Sequence, residues 1–346
     1  MDYLETGTPL LPELLELFEV IERLGKNATV SEVSIASHDE IRLPILALVI
    51  GSSDRTLPTL GLFGGVHGLE RIGTRVVLAY LRTLAELLRW DKHTQRLLTT
   101  TRIVCMPIVN PIGMCLRRRA NGNGVDLMRN APVEADGIAP YHLHAGHRFS
   151  PRLPWYRGRA GQPMETEAQA VCRFVSEEVL TARVSITVDV HSGYGTRDRF
   201  WFPYARTKDP FPEVAEVLTL NKLFDQAYPN HVYCIEPQSR QYRSHGDLWD
   251  YLYDENARRN ARGLFLPFCL ELGSWIWLRK SFRQFFSLLG VFNPLARHRL
   301  QRALRRHIPL FDFLLRAVAS SEAWSAIPED QRRALEHEAD KLWYGR

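Results

Sequence analysis

The sequence predicts an α/β fold: a single-domain, mixed but largely parallel twisted sheet flanked by helices, with a helical C-terminal extension. Three observations carry this reading. Apolar runs of strand length occur at residues 60–66, 184–190 and 264–270. Segments with apolar residues at helical spacing lie between them. From Arg279 onward only the helical pattern remains. Strands alternating with helices argue for one layered α/β structure. In such sheets ligands sit beyond the carboxyl ends of the strands.

Taken in order, residues 11–24 place Leu14, Leu17, Phe18, Ile21 and Leu24 at helical spacing and stop at Gly25. SEVSIAS and LPILALVIG read as two strands joined by a turn at SHDE. The run 60–66 contains the glycine pair Gly64 and Gly65, and a helix should follow with Ile72, Val76, Tyr80, Leu84 and Leu87 on one face. RIVCMPIV is the next strand, ending at Asn110 and Pro111. A helix is expected from Met164 to about Leu180, opened by Glu165 and Glu167, whose charges suit a helix N-terminus. VSITVDV and LFLPFCL complete the sheet.

The chain has 346 residues, 45% hydrophobic and 24% charged, the balance of an ordinary globular protein. Length alone suggests roughly two domains of ~150 residues, although α/β enzymes often use this length for one. The division expected is a catalytic domain over 1–278 and a basic helical extension over 279–346 packed on it. The N-terminus is acidic where a signal peptide would be basic, and no apolar run has membrane-spanning length. Five cysteines in no paired pattern fit reduced thiols, hence a cytoplasmic location. The net charge of +5 is local. Eight basic and no acidic side chains lie between Arg279 and Arg306 (279, 280, 283, 297, 299, 302, 305, 306), leaving −3 for the rest. A solvated helix face is the plain explanation, an anionic partner or membrane surface the other.

His67-Gly68-Leu69-Glu70 follows the run 60–66. A His and a Glu with two residues between them can reach one metal ion from a turn, and zinc accepts both donor types at about 2.0–2.2 Å. It is the only H-x-x-E among 12 histidines. His191 follows VSITVDV and supplies a third donor, although alone it would read as a core histidine. Three protein ligands leave one tetrahedral position for water, the arrangement of a catalytic zinc site. Glu271 ends the last apolar run, where desolvation suits a carboxylate to act as a general base. Between the ligands, residues 110–130 bring Arg117, Arg118 and Arg119, two N-G turns, Asp126 and Arg129. Guanidinium groups suit an oxyanion or a substrate carboxylate, whereas a solvated basic loop accounts as well for Arg117 and Arg118. His142, His144 and His147 could form a second metal site on a loop, but no acidic or cysteine partner stands near them in sequence.

The ordered set HGLE, NPIG, RRRANGNGVDLMRN, METEAQAV, DVHSG and LELGS resembles the zinc carboxypeptidase family of metallopeptidases, over roughly residues 30–275. The resemblance implies one zinc ion held by His67, Glu70 and His191, with Glu271 as base and proton shuttle. It implies Arg119 at the oxyanion, Arg129 at the substrate's terminal carboxylate, and Asp126 accepting the free N–H of His67. An assisting tyrosine is implied before Glu271; Tyr242, Tyr251 and Tyr253 are candidates, Tyr242 being preferred. The specificity pocket is implied in 242–262, which holds Asp247, Asp250, Asp254, Glu255, Arg258, Arg259 and Arg262. One departure is Met128, where the family usually has Asn; it bears on carboxylate recognition and not on the metal. NPIG for NPDG is milder.

The expected activity is hydrolysis of a C-terminal peptide bond. A murein-peptide-trimming role is one form of it. The alternative is N-acyl amino acid deacylation, as in enzymes resembling aspartoacylase and succinylglutamate desuccinylase, which share the ligand framework but tend to carry a β-rich appended domain. A non-catalytic binding protein on the same fold is the alternative of another class. The expected partners are a peptide or acyl amino acid, with no nucleic acid and no membrane span.

Overall fold

The computed structural model describes residues 11–259, 263–280, 284 and 286–345. Helix α1 (Pro12–Leu24) leads into the hairpin of β1 (Ala28–His38) and β2 (Ile41–Gly51), whose turn holds Asp39 at φ 50°. Then come β3 (Thr59–Gly64), α2 (Arg71–Trp90), α3 (Lys92–Thr100), β4 (Arg102–Met106) and the short α4 (Pro111–Cys115). Helix α5 (Thr166–Glu178) precedes β5 (Val184–Ser192) and β6 (Arg199–Phe202). After α6 (Val214–Ala227) and β7 (Cys234–Pro237), α7 (Leu248–Arg258), β8 (Leu264–Leu272) and α8 (Trp275–Arg279) close the sheet region. The described elements beyond it are all helices, notably Leu288–Phe292, Arg297–Arg306, Ile308–Ala319 and Glu329–Ala339.

The eight strands form one sheet in the order β1-β2-β4-β3-β5-β8-β6-β7. Its centre, β4-β3-β5-β8, is parallel, as is β6-β7; the joins β1-β2, β2-β4 and β6-β8 are antiparallel. Every residue of β3, β4 and β5 is buried, as expected for central strands covered on both faces. Strand alternation sorts the covering helices. Phe63 points to one face, meeting Phe174 of α5 and Trp249 of α7. Gly64 faces the other, where a β-carbon would lie 3.1 Å from the backbone of Thr74 in α2. On that side Tyr80 packs edge-on against Phe311 of the Ile308–Ala319 helix. Leu310, Phe311, Leu314 and Leu315 of this helix are all buried, each contributing roughly 1.5–3 kcal/mol.

The expected elements form, with local differences. The buried face of α2 ends on Leu88 instead of Leu87: Val76, Tyr80, Leu84 and Leu88 step by four residues, so the covered side turns by about 40° per step around a 3.6-residue helix. Strand β4 stops at Met106, before Pro107, and Asn110 then caps α4 by accepting from Gly113 N at 2.8 Å. Helix α5 starts at Thr166, two residues later than Met164. Strands β6 and β7, four residues each, and helices α3, α6 and α7 were not anticipated. The stretch read as a specificity loop is largely α7, opened by Asp247, whose carboxylate accepts from Trp249 N and Asp250 N. The basic helix Arg297–Arg306 exposes Arg297, Arg302 and Arg305, while Arg299 donates to the carbonyls of Trp277 and Lys280. Arg262 and Arg283 lie outside the described residues. No described helix is long and apolar enough to cross a membrane.

Helix α2 sits against β5 only because residue 73 lacks a side chain: a β-carbon there would lie 2.2 Å from the carbonyl oxygen of Val190. Gly73→Ala should therefore force α2 off the sheet and lower stability by roughly 1–3 kcal/mol, the usual range for overpacking, as measured by urea unfolding.

Candidate metal centre and active-site cavity

Three chain segments converge at the carboxyl ends of the central strands. The first is the loop between β3 and α2. Gly65 has φ 66°, in the left-handed region that favours glycine. Gly68 approaches the NPIG turn so closely that a β-carbon would lie 2.0 Å from the carbonyl carbon of Gly113. Asn110 ties the two together, its Nδ2 donating to Val66 O at 3.2 Å, and Gly68 N donates to Arg119 O at 3.2 Å. His67 and Glu70 are thereby aimed inward, with 3% and 1% of their surface exposed.

The second segment is the end of β5 beside the end of β8. His191 and Glu271 are Cα partners in the parallel ladder, so they lie inside the last turns of pairing rather than just past the strand ends. The period of two also puts Asp189 on the same face as His191. The third is the loop 119–129. Asn121 accepts from Asn123 N and Val125 N at 3.0 Å each, and its Nδ2 donates to Glu165 at 2.9 Å and Glu167 at 3.1 Å. The N-G-N-G pattern and the acidic start of α5 are thus two halves of one framework.

His67 Nδ1 lies 2.9 Å from Glu70 Oε1, and His191 Nδ1 lies 3.1 Å from Glu70 Oε2 and 3.2 Å from His67 Nδ1. One donor atom from each of the three falls within a single 4.8 Å cluster, the one group of this kind among the described residues. Both imidazoles turn Nδ1 inward and Nε2 toward a carboxylate: His67 to Asp126 Oδ1 at 2.9 Å, His191 to Asp189 Oδ2 at 2.8 Å. A carboxylate behind each ring fixes its orientation and raises the basicity of the inward nitrogen. Two imidazole nitrogens and a carboxylate, converged and backed in this way, fit a zinc ion.

Charges around the cluster are matched. Burial would raise the Glu70 carboxyl, but the charges of His67 and Arg119 hold it well below the usual range. Arg119 donates to Glu70 Oε1 at 2.5 Å and to Asp126 Oδ2 at 3.2 Å. Arg129 donates from Nη1 to Asp126 at 3.0 Å, while its Nε is buried without a partner. Burial lowers His191, yet Asp189 and Glu70 leave it well above the usual histidine value. Burial pushes the Glu271 carboxyl from 4.5 up to about 8; Glu70 adds to the rise, and His191 and Arg119 oppose it. Tyr194 N donates to Glu271 Oε1 at 2.9 Å.

These groups line a cavity of about 550 Å³ with walls that are mostly apolar. His67, Glu70, His191, Glu271, Arg119, Arg129, Met128 and Tyr242 all border it, whereas Asp126 stands behind them. Tyr242 packs on Tyr194 at 5.6 Å between ring centres, and burial raises its hydroxyl pKa. Tyr251 lies on α7 beside Arg258, and Tyr253 donates to Glu213, both away from the cavity. Of the charged residues in 242–259, Asp247 alone borders it. Asp250 accepts from Ala205 N and Arg206 N, Asp254 pairs with Arg206, and Glu255 with Arg258 and Arg259. Arg117 and Arg118 are exposed. The three loop histidines do not converge: His142 and His144 are exposed, and His147 accepts from Phe149 N and donates to Pro154 O.

Four contributors were missed in the sequence: Asp189, Tyr194, Leu288 and Phe292, all but Asp189 bordering the cavity. The first was findable, since D-x-H in a strand puts both side chains on one face. The last two come from beyond the sheet, and nothing in their neighbourhood marks them.

A central parallel sheet carrying two histidines and a glutamate at its carboxyl end defines a single-ion metal site of the α/β class. The comparisons make this specific. The family model described as zinc carboxypeptidase matches residues 31–274, and the chain belongs to that family, whose members depend on zinc. Carboxypeptidase E of Caenorhabditis elegans is 30% identical over 135 residues, 35% of this chain and 26% of that protein. Carboxypeptidase SOL1 of Arabidopsis thaliana is 32% identical over 75 residues, 22% and 15% of the two lengths. Each match thus spans about a quarter or less of the curated relative. Among solved structures, bovine thrombin-activatable fibrinolysis inhibitor, in complex with tick carboxypeptidase inhibitor, has a TM-score of 0.63 at 16% identity, covering 91% of this chain and 99% of that one. Carboxypeptidase A from Helicoverpa armigera gives 0.62 at 17% identity, covering 90% and 72%. These show the shared fold. No strand follows β8 among the described residues, so the β-rich addition typical of the deacylases is not found there.

Glu271 also governs a pH dependence of the metal-free protein. Its folded pKa of about 8 exceeds the ordinary 4.5, so its contribution to stability is complete below 4.5 and is lost as pH rises through about 8. Gln stays neutral throughout, so the metal-free protein should lose stability relative to its Glu271→Gln variant as pH rises from 5 to 8.5. Equal slopes in urea titrations across that range would remove the burial argument.

Proposed function

We propose that this chain is a zinc metallocarboxypeptidase that removes a C-terminal residue from a peptide. The observation that carries the reading is Arg129: a largely buried cation, held by Asp126, that borders the same cavity as the ligand cluster and Glu271. A fixed guanidinium suits a carboxylate, and a peptide's C-terminus is one. Met128 beside it offers no hydrogen bond, so Arg129 takes the larger share of that recognition. Five unpaired cysteines support a reducing, cytoplasmic setting.

Zinc held by His67, Glu70 and His191 would supply Lewis acidity, bringing the pKa of a bound water to about 7. Asp126 and Asp189 hold the two imidazoles in the ligating tautomer. Arg129 fixes the substrate's carboxylate, which places the last amide bond near Glu271. Glu271, held by the Tyr194 amide, accepts the proton of the attacking water and passes it to the leaving amine. Arg119, 22% exposed in its side chain, stabilises the developing oxyanion. Tyr242 closes the wall and offers its hydroxyl to the substrate. The mostly apolar cavity excludes water, strengthening each charge interaction.

The first test is release of single C-terminal residues from a peptide library, read by mass spectrometry beside N-acyl amino acids. Loss of single residues that stops with chelator and returns with zinc is expected; cleavage of acyl amino acids alone would overturn the peptidase reading. Glu271→Gln should keep stoichiometric zinc while turnover falls about 10²–10⁴-fold, whereas His67→Ala should lose the metal. Arg129→Ala should lower kcat/KM roughly 10–100-fold on peptides with a free C-terminus, the cost of a charge-assisted hydrogen bond.

A further inference from the structure

We propose that Asn293 and Phe292, which lie beyond the family-matched region, clip the two ligand-bearing segments together and act as positioning residues for zinc. The proposal rests on His67, Glu70 and His191 being the metal ligands.

The reason lies in how α2 begins. Its first backbone N–H groups have no partner within the helix, and a side chain at the N-cap ordinarily accepts from one of them. The N-cap here is Glu70, and its side chain makes no such bond. Its carboxylate is turned instead to His67, His191, Arg119 and Ser192 N. The missing cap comes from 221 positions away: Asn293 Oδ1 accepts from Ile72 N at 2.8 Å. The Nδ2 of the same side chain donates to Leu69 O at 2.7 Å. Asn293 thus grips the backbone on both sides of Glu70.

The adjacent residue holds the other ligand strand. Phe292 O accepts from Ser192 Oγ at 2.8 Å, next to His191, and the Phe292 ring covers Gly193, where a β-carbon would lie 2.8 Å from it. Residues 292 and 293 are themselves fixed. Asn293 Nδ2 also donates to Leu289 O at 2.8 Å, and the buried Gln284 donates to Gly290 O at 2.9 Å and Asn293 O at 2.6 Å.

Without Asn293, Ile72 N and Leu69 O lose their partners, and the ordinary acceptor for a helix's first N–H groups is the N-cap side chain, here Glu70. Capping α2 and ligating zinc then compete for one side chain. Asn293 removes that competition, so the functional unit extends through residue 293 instead of closing with the sheet.

The test is zinc affinity, measured by competition with a chromophoric chelator on protein shown to be folded. Asn293→Ala should raise the zinc dissociation constant about 10–100-fold, the range for residues supporting metal ligands. Asn293→Asp, which keeps the acceptor for Ile72 N but loses both donations, should fall between the two. Ser192→Ala, which cuts only the Phe292 arm, should weaken zinc several-fold and serves if Asn293→Ala does not fold. A folded Asn293→Ala protein that is less stable but binds zinc within twofold of the unmodified chain overturns the proposal. So does unchanged affinity in both Asn293→Asp and Ser192→Ala. Peptidase activity is not part of this readout: an inactive but zinc-binding chain would sink the proposed function alone, and a chain indifferent to His67→Ala would sink the ligand set.

Discussion

Burying a carboxylate costs several kcal/mol unless cations and hydrogen-bond donors surround it. Glu70 is 1% exposed and is surrounded on every side by such groups: two imidazoles, a guanidinium and a backbone N–H. Those partners come from three separate regions of the chain. The β3–α2 loop, the end of β5 and the loop around Arg119 must therefore all be in place before this charge can be buried. The metal centre and the folded core share one requirement.

The same requirement extends outward through carboxylates and cations in turn. Asp126 accepts from Arg119 and Arg129 and meets His67; its burial is offset by Arg129, His67 and Arg119, which hold its pKa well below the ordinary range. Asp189 meets His191 and accepts from Trp249 Nε1 at 2.9 Å, linking the centre to α7. Glu271 is the exception. Burial leaves its carboxyl raised where Glu70 and Asp126 are lowered. Neighbouring acids thus differ by their surroundings: adjacent cations lower Glu70 and Asp126, and burial raises Glu271.

Much of this was readable from residue types and spacing. The apolar runs marked β3, β5 and β8, and their ends carried His67, His191 and Glu271 because ligands gather at strand carboxyl ends. The N-G pattern marked a turn framework, and the structure shows why: Asn121 bonds both its own loop and the start of α5. Asp189 was legible in principle from strand periodicity. Others were not. Tyr194 acts through its backbone N–H, which no side chain advertises. Of the three tyrosines before Glu271, only packing distinguishes Tyr242. Asp247, Asp250, Asp254 and Glu255 look equivalent in sequence, and their directions are set by α7, which the sequence did not suggest.

What the sequence by itself determined is therefore local: strand and helix periodicity, the turn-forming glycines and asparagines, and the donor types placed at strand ends. Those follow from backbone geometry within a few residues. What only the tertiary structure decided is which distant groups complete the site. Register between β5 and β8 set His191 opposite Glu271, burial pushed Glu271 up, and Asn293 reached back 221 positions to cap the helix that Glu70 leaves uncapped. These depend on contacts between segments far apart in the chain, and no local pattern encodes them.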